Sequence, residues 1–361
     1  MRSGHFAEVS PICPVCRHKG VSSALELAHV SRSAGDQIFE GILHCTECSA
    51  EYPIIDGIPI LVNDVAAYLR TNHSQIVQRR TLTHPLRTLI GDALGPDAAQ
   101  EQLRRRSSTY CRDHFGMWDP EESEGRAPPG SVLRLLEAAL ALVDTVPAGP
   151  ILDLGCSVGA TTMRLAERFP DRLVLGLDMS FDFLRTAMSV LDTGAVCYER
   201  RRVGMVYDER RFPVPVKAPD QVDFWVCDVA AIPLPTAMAS LVVSLNLLDS
   251  LHSPWGHLVE ASRMLGAQST LLLSSPYDWA PSATYIENWL GGHSQRGPGR
   301  GASEPVVRQM LQATTPYHPD GLTITAEKLQ HLWQVWVHER STVAYDVHVL
   351  AARPQPTNSP S

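Results

Sequence analysis

Residues 151–162, Ile-Leu-Asp-Leu-Gly-Cys-Ser-Val-Gly-Ala-Thr-Thr, constrain the fold of this chain more than any other stretch. An apolar strand pattern, Ile151–Leu154, runs into a loop with glycines at 155 and 159, and a helical pattern follows over 161–169. Gly155 permits a tight turn and close backbone approach, and the following helix presents free N–H groups at its start. Together these features predict a cradle for a nucleotide-like ligand at the carboxyl end of a strand. A second strand pattern, 173–177, ends in Asp178, whose ionised oxygens suit a ribose diol.

From residue 150 onward strand and helix patterns alternate, which predicts a parallel α/β sheet. A strand at 222–227 ends in Asp228 and Val229. Another, from Ser240, runs into Asn246 and Asp249, and a fifth at 269–273 leads into Ser-Ser-Pro-Tyr-Asp-Trp at 274–279. Alternation around polar residues between 196 and 215 predicts a hairpin inserted before the strand at 222. Residues 63–118 read as helices, 119–130 as a Pro/Gly-rich linker or mobile loop, and Ser131 as the cap of a helix at 132–142.

The eight cysteines form two populations. Cys13, Cys16, Cys45 and Cys48 make two C-x-x-C pairs, the spacing of a closed tetrahedral site for structural zinc. The other four, scattered through apolar or motif positions, read as buried free thiols. The N-terminus lacks a secretory apolar region and no stretch is long and apolar enough to span a bilayer. The expectation is therefore a cytoplasmic protein with no membrane association and no disulfide framework. A formal net charge of −8 argues against a polyanionic partner, although Arg104–Arg106, Arg200–Arg202 and Arg210–Arg211 are local basic clusters. Nucleic acid is a possible partner on those clusters, but not the favoured one.

The loop at 153–159 resembles motif I of the class I S-adenosylmethionine (SAM) methyltransferases in its looser form D-L-G-C-x-x-G, with Ser157 where the stricter form has its middle glycine. That resemblance implies a Rossmann-like α/β sheet with helices on both faces and a cofactor site made by Asp153, Gly155, Cys156, Ser157, Gly159, Asp178, Met179, Asp228, Val229 and Asn246. In it Asp153 positions the methionine end, Asp178 holds the ribose hydroxyls, and Asp228 with the Val229 N–H meets the adenine. After the second cysteine pair, Tyr-Pro-Ile-Ile-Asp-Gly-Ile-Pro at 52–59 is similar to the zinc-ribbon family that serves as an activator subunit of RNA and protein methyltransferases. Asp56-Gly57 is there a hairpin turn.

The segments at 246–251, 274–279, 285–292 and 337–345 are similar to the methyltransferase domain of ovothiol biosynthesis, which N-methylates an imidazole. This implies a substrate pocket of Asn246, Tyr285, Asn288, Trp289 and Arg340, with Asp249 and Tyr277 as catalytic groups. The expected organisation is a zinc ribbon at 1–62, a helical connector and linker at 63–130, a methyltransferase domain at 131–352 and a disordered tail at 353–361. The favoured activity is methylation of a small molecule, at a nitrogen of an imidazole-like or amino-acid-derived substrate. Two alternatives stand beside it: an RNA guanine-N1 methyltransferase, which the acidic balance and the lack of an Asn-Pro-Pro-Tyr-type segment disfavour, and a non-catalytic SAM-binding partner protein.

Overall fold

The computed structural model describes residues 1–77, 82–122, 125, 127–312 and 321–355. Its strands are β1 Leu25–Ala34, β2 Gln37–Cys45, β3 Glu51–Ile55, β4 Ile58–Leu61, β5 Ile151–Leu154, β6 Val174–Asp178, β7 Ala195–Val203, β8 Val206–Pro213, β9 Val222–Cys227, β10 Ala239–Leu245, β11 Leu265–Ser275, β12 Leu322–His338 and β13 Ser341–Pro354. The helices are α1 Ser3–Val9, α2 Pro14–His18, α3 Val65–Ile76, α4 His84–Leu94, α5 Ala99–Phe115, α6 Ser131–Leu140, α7 Ala160–Arg168, α8 Phe181–Thr193, α9 Pro254–Arg263 and α10 Ser303–Gln312.

Eleven strands form one sheet in the order β1-β2-β3-β4-β9-β6-β5-β10-β11-β13-β12, and β7-β8 is a separate hairpin. The run from β4 to β11 is parallel throughout, so its strands are buried on both faces and read as continuous apolar segments. Alternation along each strand divides the core in two. Ile151, Val174, Phe224, Val243 and Val349 join Leu135, Leu165 and Leu184 of α6, α7 and α8 on one face. Leu152, Leu175, Trp225, Val242 and Leu350 join Leu258 of α9, Val307 of α10 and the ribbon residues Leu43, Tyr52 and Ile54 on the other.

The ribbon is built into this sheet. Asp56 and Gly57, with φ of 52° and 82°, make the tight turn between β3 and β4. β4 then pairs in parallel with β9, Ile60 with Val226 and Leu61 with Cys227, so a four-stranded antiparallel unit caps the edge of the parallel sheet.

Several expectations change. Ser131 does not cap its helix: Asp113 of α5 does, accepting the Ser131 and Val132 N–H groups at 2.7 and 3.3 Å, while the Ser131 hydroxyl accepts from the Gln334 N–H. The described part of the 119–130 segment is pinned, because Glu122 is buried against Arg112 at 3.0 Å and Arg200 at 2.7 Å; residues 123, 124 and 126 lie outside the described residues. Arg353 and Pro354, assigned to the polar tail, close β13, and residues 356–361 lie outside the described residues.

Candidate functional site

The two cysteine pairs meet in space. Their four sulfur atoms all lie within 4.8 Å of one another, with Cys13–Cys48 and Cys16–Cys45 each at 3.6 Å. A tetrahedral zinc with Zn–S near 2.3 Å spaces its sulfurs by about 3.8 Å, so the donor set fits a metal ion. Polar groups support the sulfurs: the Tyr52 hydroxyl stands 3.1 Å from Cys13 and the Ser23 hydroxyl 3.2 Å from Cys45. Burial opposes ionisation of Cys45, but hydrogen bonds from Ser23 and the Cys48 and Glu47 N–H groups outweigh it and bring the thiol to about 6. The helix after Cys13 has Pro14 and Arg17 facing a cavity of about 380 Å³ that is also lined by Tyr68, Met179 and Asp228. Arg17 is ion-paired with Glu260, which accepts the Ile232 N–H at 2.9 Å.

A cavity of about 430 Å³ opens at the carboxyl ends of β5, β6, β9 and β10, the place where open α/β sheets bind ligands. Eight of the predicted cofactor residues line it: Asp153, Gly155, Ser157, Asp178, Met179, Asp228, Val229 and Asn246. Gly155 turns the chain at φ 74°, and a Cβ there would lie 2.7 Å from Leu247. Gly159, at φ 88°, starts α7 with its α-carbon against Phe224, so it serves close packing and does not line the cavity. Cys156 is buried beneath the loop with its thiol pushed well up by burial, and likewise does not line the cavity.

Asp178 accepts the Ser157 and Ser180 N–H groups at 2.9 and 2.8 Å, which orders the loop around a carboxylate. One oxygen of Asp153 takes both the Thr161 and Thr162 hydroxyls, each at 2.7 Å, and burial raises its carboxyl to about 6. Ser157 stands at φ 52°, where the stricter motif has glycine, and its hydroxyl is buried without a partner. The Asn246 Nδ2 is also buried and unpaired, at φ 51°. Strained backbone and orphaned donors in one cavity are what a polar ligand would satisfy. Ser157→Gly should therefore raise the stability of the free protein by about 1 kcal/mol, from relieved strain. If the hydroxyl binds ligand, the same change weakens SAM binding in calorimetry; tighter or equal binding would remove Ser157 from the site.

A second cavity, also about 430 Å³, shares Arg106, Tyr110, Asp113, Asn246, Ser250 and Trp333 with the first and extends to Asp249, Asp278, Arg201 and Tyr345. Of the predicted acceptor residues, it brings together Asn246 and Asp249. Burial raises Asp249 to about 6 even though it accepts the Asp278 N–H at 2.7 Å. The others lie elsewhere. Tyr277 turns its hydroxyl to His348 at 2.8 Å, Trp289 stacks on Trp279 at 6.1 Å, Asn288 donates to the His252 carbonyl at 3.0 Å, Tyr285 is 75% exposed, and Arg340 sits in the turn between β12 and β13. None of these five lines either cavity.

Sequence reading missed the contribution of α5 and β12. Tyr110, Asp113 and His114 project from one helix and Trp333 from the edge hairpin. Asp113 also accepts the Trp333 indole N–H at 3.2 Å, and burial raises it to about 6. His114 accepts the Ala160 N–H on Nδ1 at 3.3 Å, and burial lowers it to about 3, so it is neutral with the proton on Nε2. The only signal in the sequence was the i, i+3, i+4 spacing of 110, 113 and 114 on a predicted helix.

Residues 152–273 match the family model described as a methyltransferase domain. With the sheet order and the loop after β5, this defines that part of the chain as a SAM-dependent methyltransferase domain. Trans-aconitate 2-methyltransferase of Azoarcus sp. strain BH72 is 28% identical over 183 residues, covering 47% of this chain and 70% of that protein. The enzyme of the same name from Rhodopseudomonas palustris strain HaA2 is 48% identical over 48 residues, 13% of this chain and 19% of that protein. The chain thus spans about a fifth of the length of such higher-identity relatives. The solved PH0226 protein of Pyrococcus horikoshii OT3 superposes with a TM-score of 0.40 at 16% identity, over 68% of this chain and 98% of that one.

Proposed function

We propose that the chain transfers a methyl group from SAM to a small molecule, at a nitrogen of an imidazole-like or amino-acid-derived acceptor. The observation that carries this reading is the pair of joined cavities, one lined by the motif I loop, Asp178 and Asp228, the other by Asp249 and three aromatic rings, meeting at Asn246. Bound SAM supplies an electrophilic methyl on a sulfonium. The acceptor's lone pair forms the new bond as the sulfur keeps the electrons of the old one, so the protein's task is alignment and exclusion of water. Tyr110, Trp333 and Tyr345 offer faces for a flat heterocycle, with Trp333 and Tyr345 themselves stacked at 5.3 Å. Asp249, poised near 6, takes the nitrogen's proton at neutral pH.

Zinc in the four-cysteine site would be structural, since four thiolates leave no open coordination position. A nucleic-acid acceptor is disfavoured by the state of the basic clusters: Arg104 is held by Glu199, Arg105 by Glu101, Arg200 by Glu122 and Arg210 by Glu121. The test is transfer of labelled methyl from SAM to a cell's small-metabolite extract and to its total RNA. Label confined to RNA would overturn the small-molecule reading.

The raised carboxyls set a pH dependence. Asp153, Asp113 and Asp249 each titrate near 6 in the native protein against about 3.9 unfolded, so the stability they contribute is present below about pH 4 and is lost as pH rises through 6. A cationic amino group held by Asp153 needs the carboxylate, so SAM affinity should rise between pH 5 and 7 with proton release. Calorimetry in buffers of different ionisation enthalpy reads both effects; a flat affinity across that window removes Asp153 from the methionine end.

A further inference from the structure

The acceptor cavity has a charge pattern that points to more than a heterocycle. Its carboxylates are Asp249 and Asp278, from the loops that follow β10 and β11, and Asp113 of α5, whose oxygens already accept the Ser131, Val132 and Trp333 N–H groups. Its guanidinium groups, Arg105, Arg106 and Arg201, come from α5 and from the β7-β8 hairpin, elements that lie outside the eleven-stranded sheet.

The basic clusters to which these arginines belong are otherwise neutralised within the protein. Arg104 meets Glu199 at 2.9 Å, Arg105 meets Glu101 at 2.9 Å, Arg200 meets Glu339 at 3.2 Å as well as Glu122, and Arg202 lies 3.8 Å from Asp208. Among the described residues Arg106 and Arg201 form no ion pair. Arg201 is nevertheless held in place: its N–H donates to the Ser108 hydroxyl at 2.7 Å and its Nε to the Gly204 carbonyl at 2.8 Å, which leaves both terminal nitrogens uncommitted. Arg106 rests over the Phe183 ring at 5.5 Å and lines both cavities. A planar guanidinium presents donors in a fork that matches carboxylate or phosphate oxygens.

We propose that the acceptor carries an oxyanion, a carboxylate or a phosphate, bound by Arg106 and Arg201 while its methyl-accepting atom faces Asn246 and Asp249. This rests on the small-molecule methyltransferase reading above. Arg106 and Arg201 then act as specificity residues: they select an acceptor with a negative charge at one end, and they set the distance from that charge to the nucleophile.

The experiment splits a small-metabolite extract on an anion exchanger at pH 10, where carboxylates and phosphates are ionised and most α-amino groups are neutral, so that acids, amino acids included, are retained. Each fraction is then incubated at neutral pH with labelled SAM and the protein. The expected result is label in the retained fraction alone. Re-chromatography of the labelled product after phosphatase treatment tells phosphate from carboxylate. Arg201→Gln and Arg106→Gln should each lower transfer at subsaturating acceptor by roughly tenfold or more, the loss expected of one charge-assisted contact. Arg201 lines the second cavity and not the first, so in Arg201→Gln affinity for S-adenosylhomocysteine and melting temperature stay as in the wild type. Arg106 also lines the cofactor cavity, so transfer by Arg106→Gln is read at saturating SAM. Arg106 is largely exposed, so its variant tests the idea even if Arg201→Gln folds poorly. Label in the unretained fraction, or undiminished transfer by both variants, overturns the oxyanion subsite and leaves the methyltransferase reading standing. No transfer to either fraction by protein that binds S-adenosylhomocysteine overturns the methyltransferase reading itself.

Discussion

Cys13→Ser should abolish stoichiometric zinc and lower the melting temperature by on the order of 10 °C, the effect of losing a few kcal/mol in a domain of this size. Metal release removes the cross-link that holds α2 against β2, in a unit whose own apolar core is small. The damage should also reach the cofactor. β4 is hydrogen-bonded to β9, the strand that ends at Asp228, and α2 lines a cavity together with Met179 and Asp228. SAM affinity should therefore fall by roughly tenfold or more in the variant, the cost of misplacing one charged partner. Metal analysis, thermal melting and calorimetry on one preparation read all three. One zinc per chain in Cys13→Ser would sink the four-cysteine site. Zinc loss with unaltered SAM affinity would show that the ribbon is mechanically separate from the cofactor site despite the shared sheet.

Asp178→Ala should weaken SAM binding about a hundredfold, since a carboxylate serving two ribose hydroxyls contributes two charge-assisted hydrogen bonds. The same substitution also removes the acceptor for the Ser157 and Ser180 N–H groups, so part of the loss would come from a disordered loop. Asp178→Asn keeps only one of these bonds, because Asp178 accepts the two N–H groups on different oxygens and an amide has one acceptor, so loop order is read separately in both variants by limited proteolysis. Affinity lost in both variants while the loop stays as protease-resistant as in the wild type assigns the effect to the carboxylate. Affinity lost in Ala and kept in Asn assigns it to loop order, and unchanged affinity in both refutes the ribose role.

What the sequence made legible was local. The β5 loop, the acidic ends of β6 and β9, the cysteine pairs, the Asp56-Gly57 turn and the inserted hairpin each depend on residues close together in the chain. A glycine at positive φ or a C-x-x-C turn has few alternative uses. The second cavity was illegible for the converse reason. Its walls come from α5, β7, the loops after β10 and β11, β12 and β13, and periodicity says that a helix has an apolar face without saying what that face meets. Tyr277 and Trp289 show the same limit, since aromatic residues near a strand end serve packing as readily as ligand contact. They turn to His348 and Trp279, whereas Asn246, Asp249 and Asp278 from the same loops reach the cavity. Asp113 was hidden most completely, because it caps a helix eighteen residues away.

The seam between β4 and β9 has a consequence for how the molecule fails. An uncapped parallel strand presents a row of unpaired amide and carbonyl groups, a template onto which another chain can add. Here that row is covered by the unit that carries the four-cysteine cluster. Metal starvation would uncover an adhesive edge along with dulling a catalyst, and its first visible sign in concentrated solution would be self-association of otherwise folded molecules.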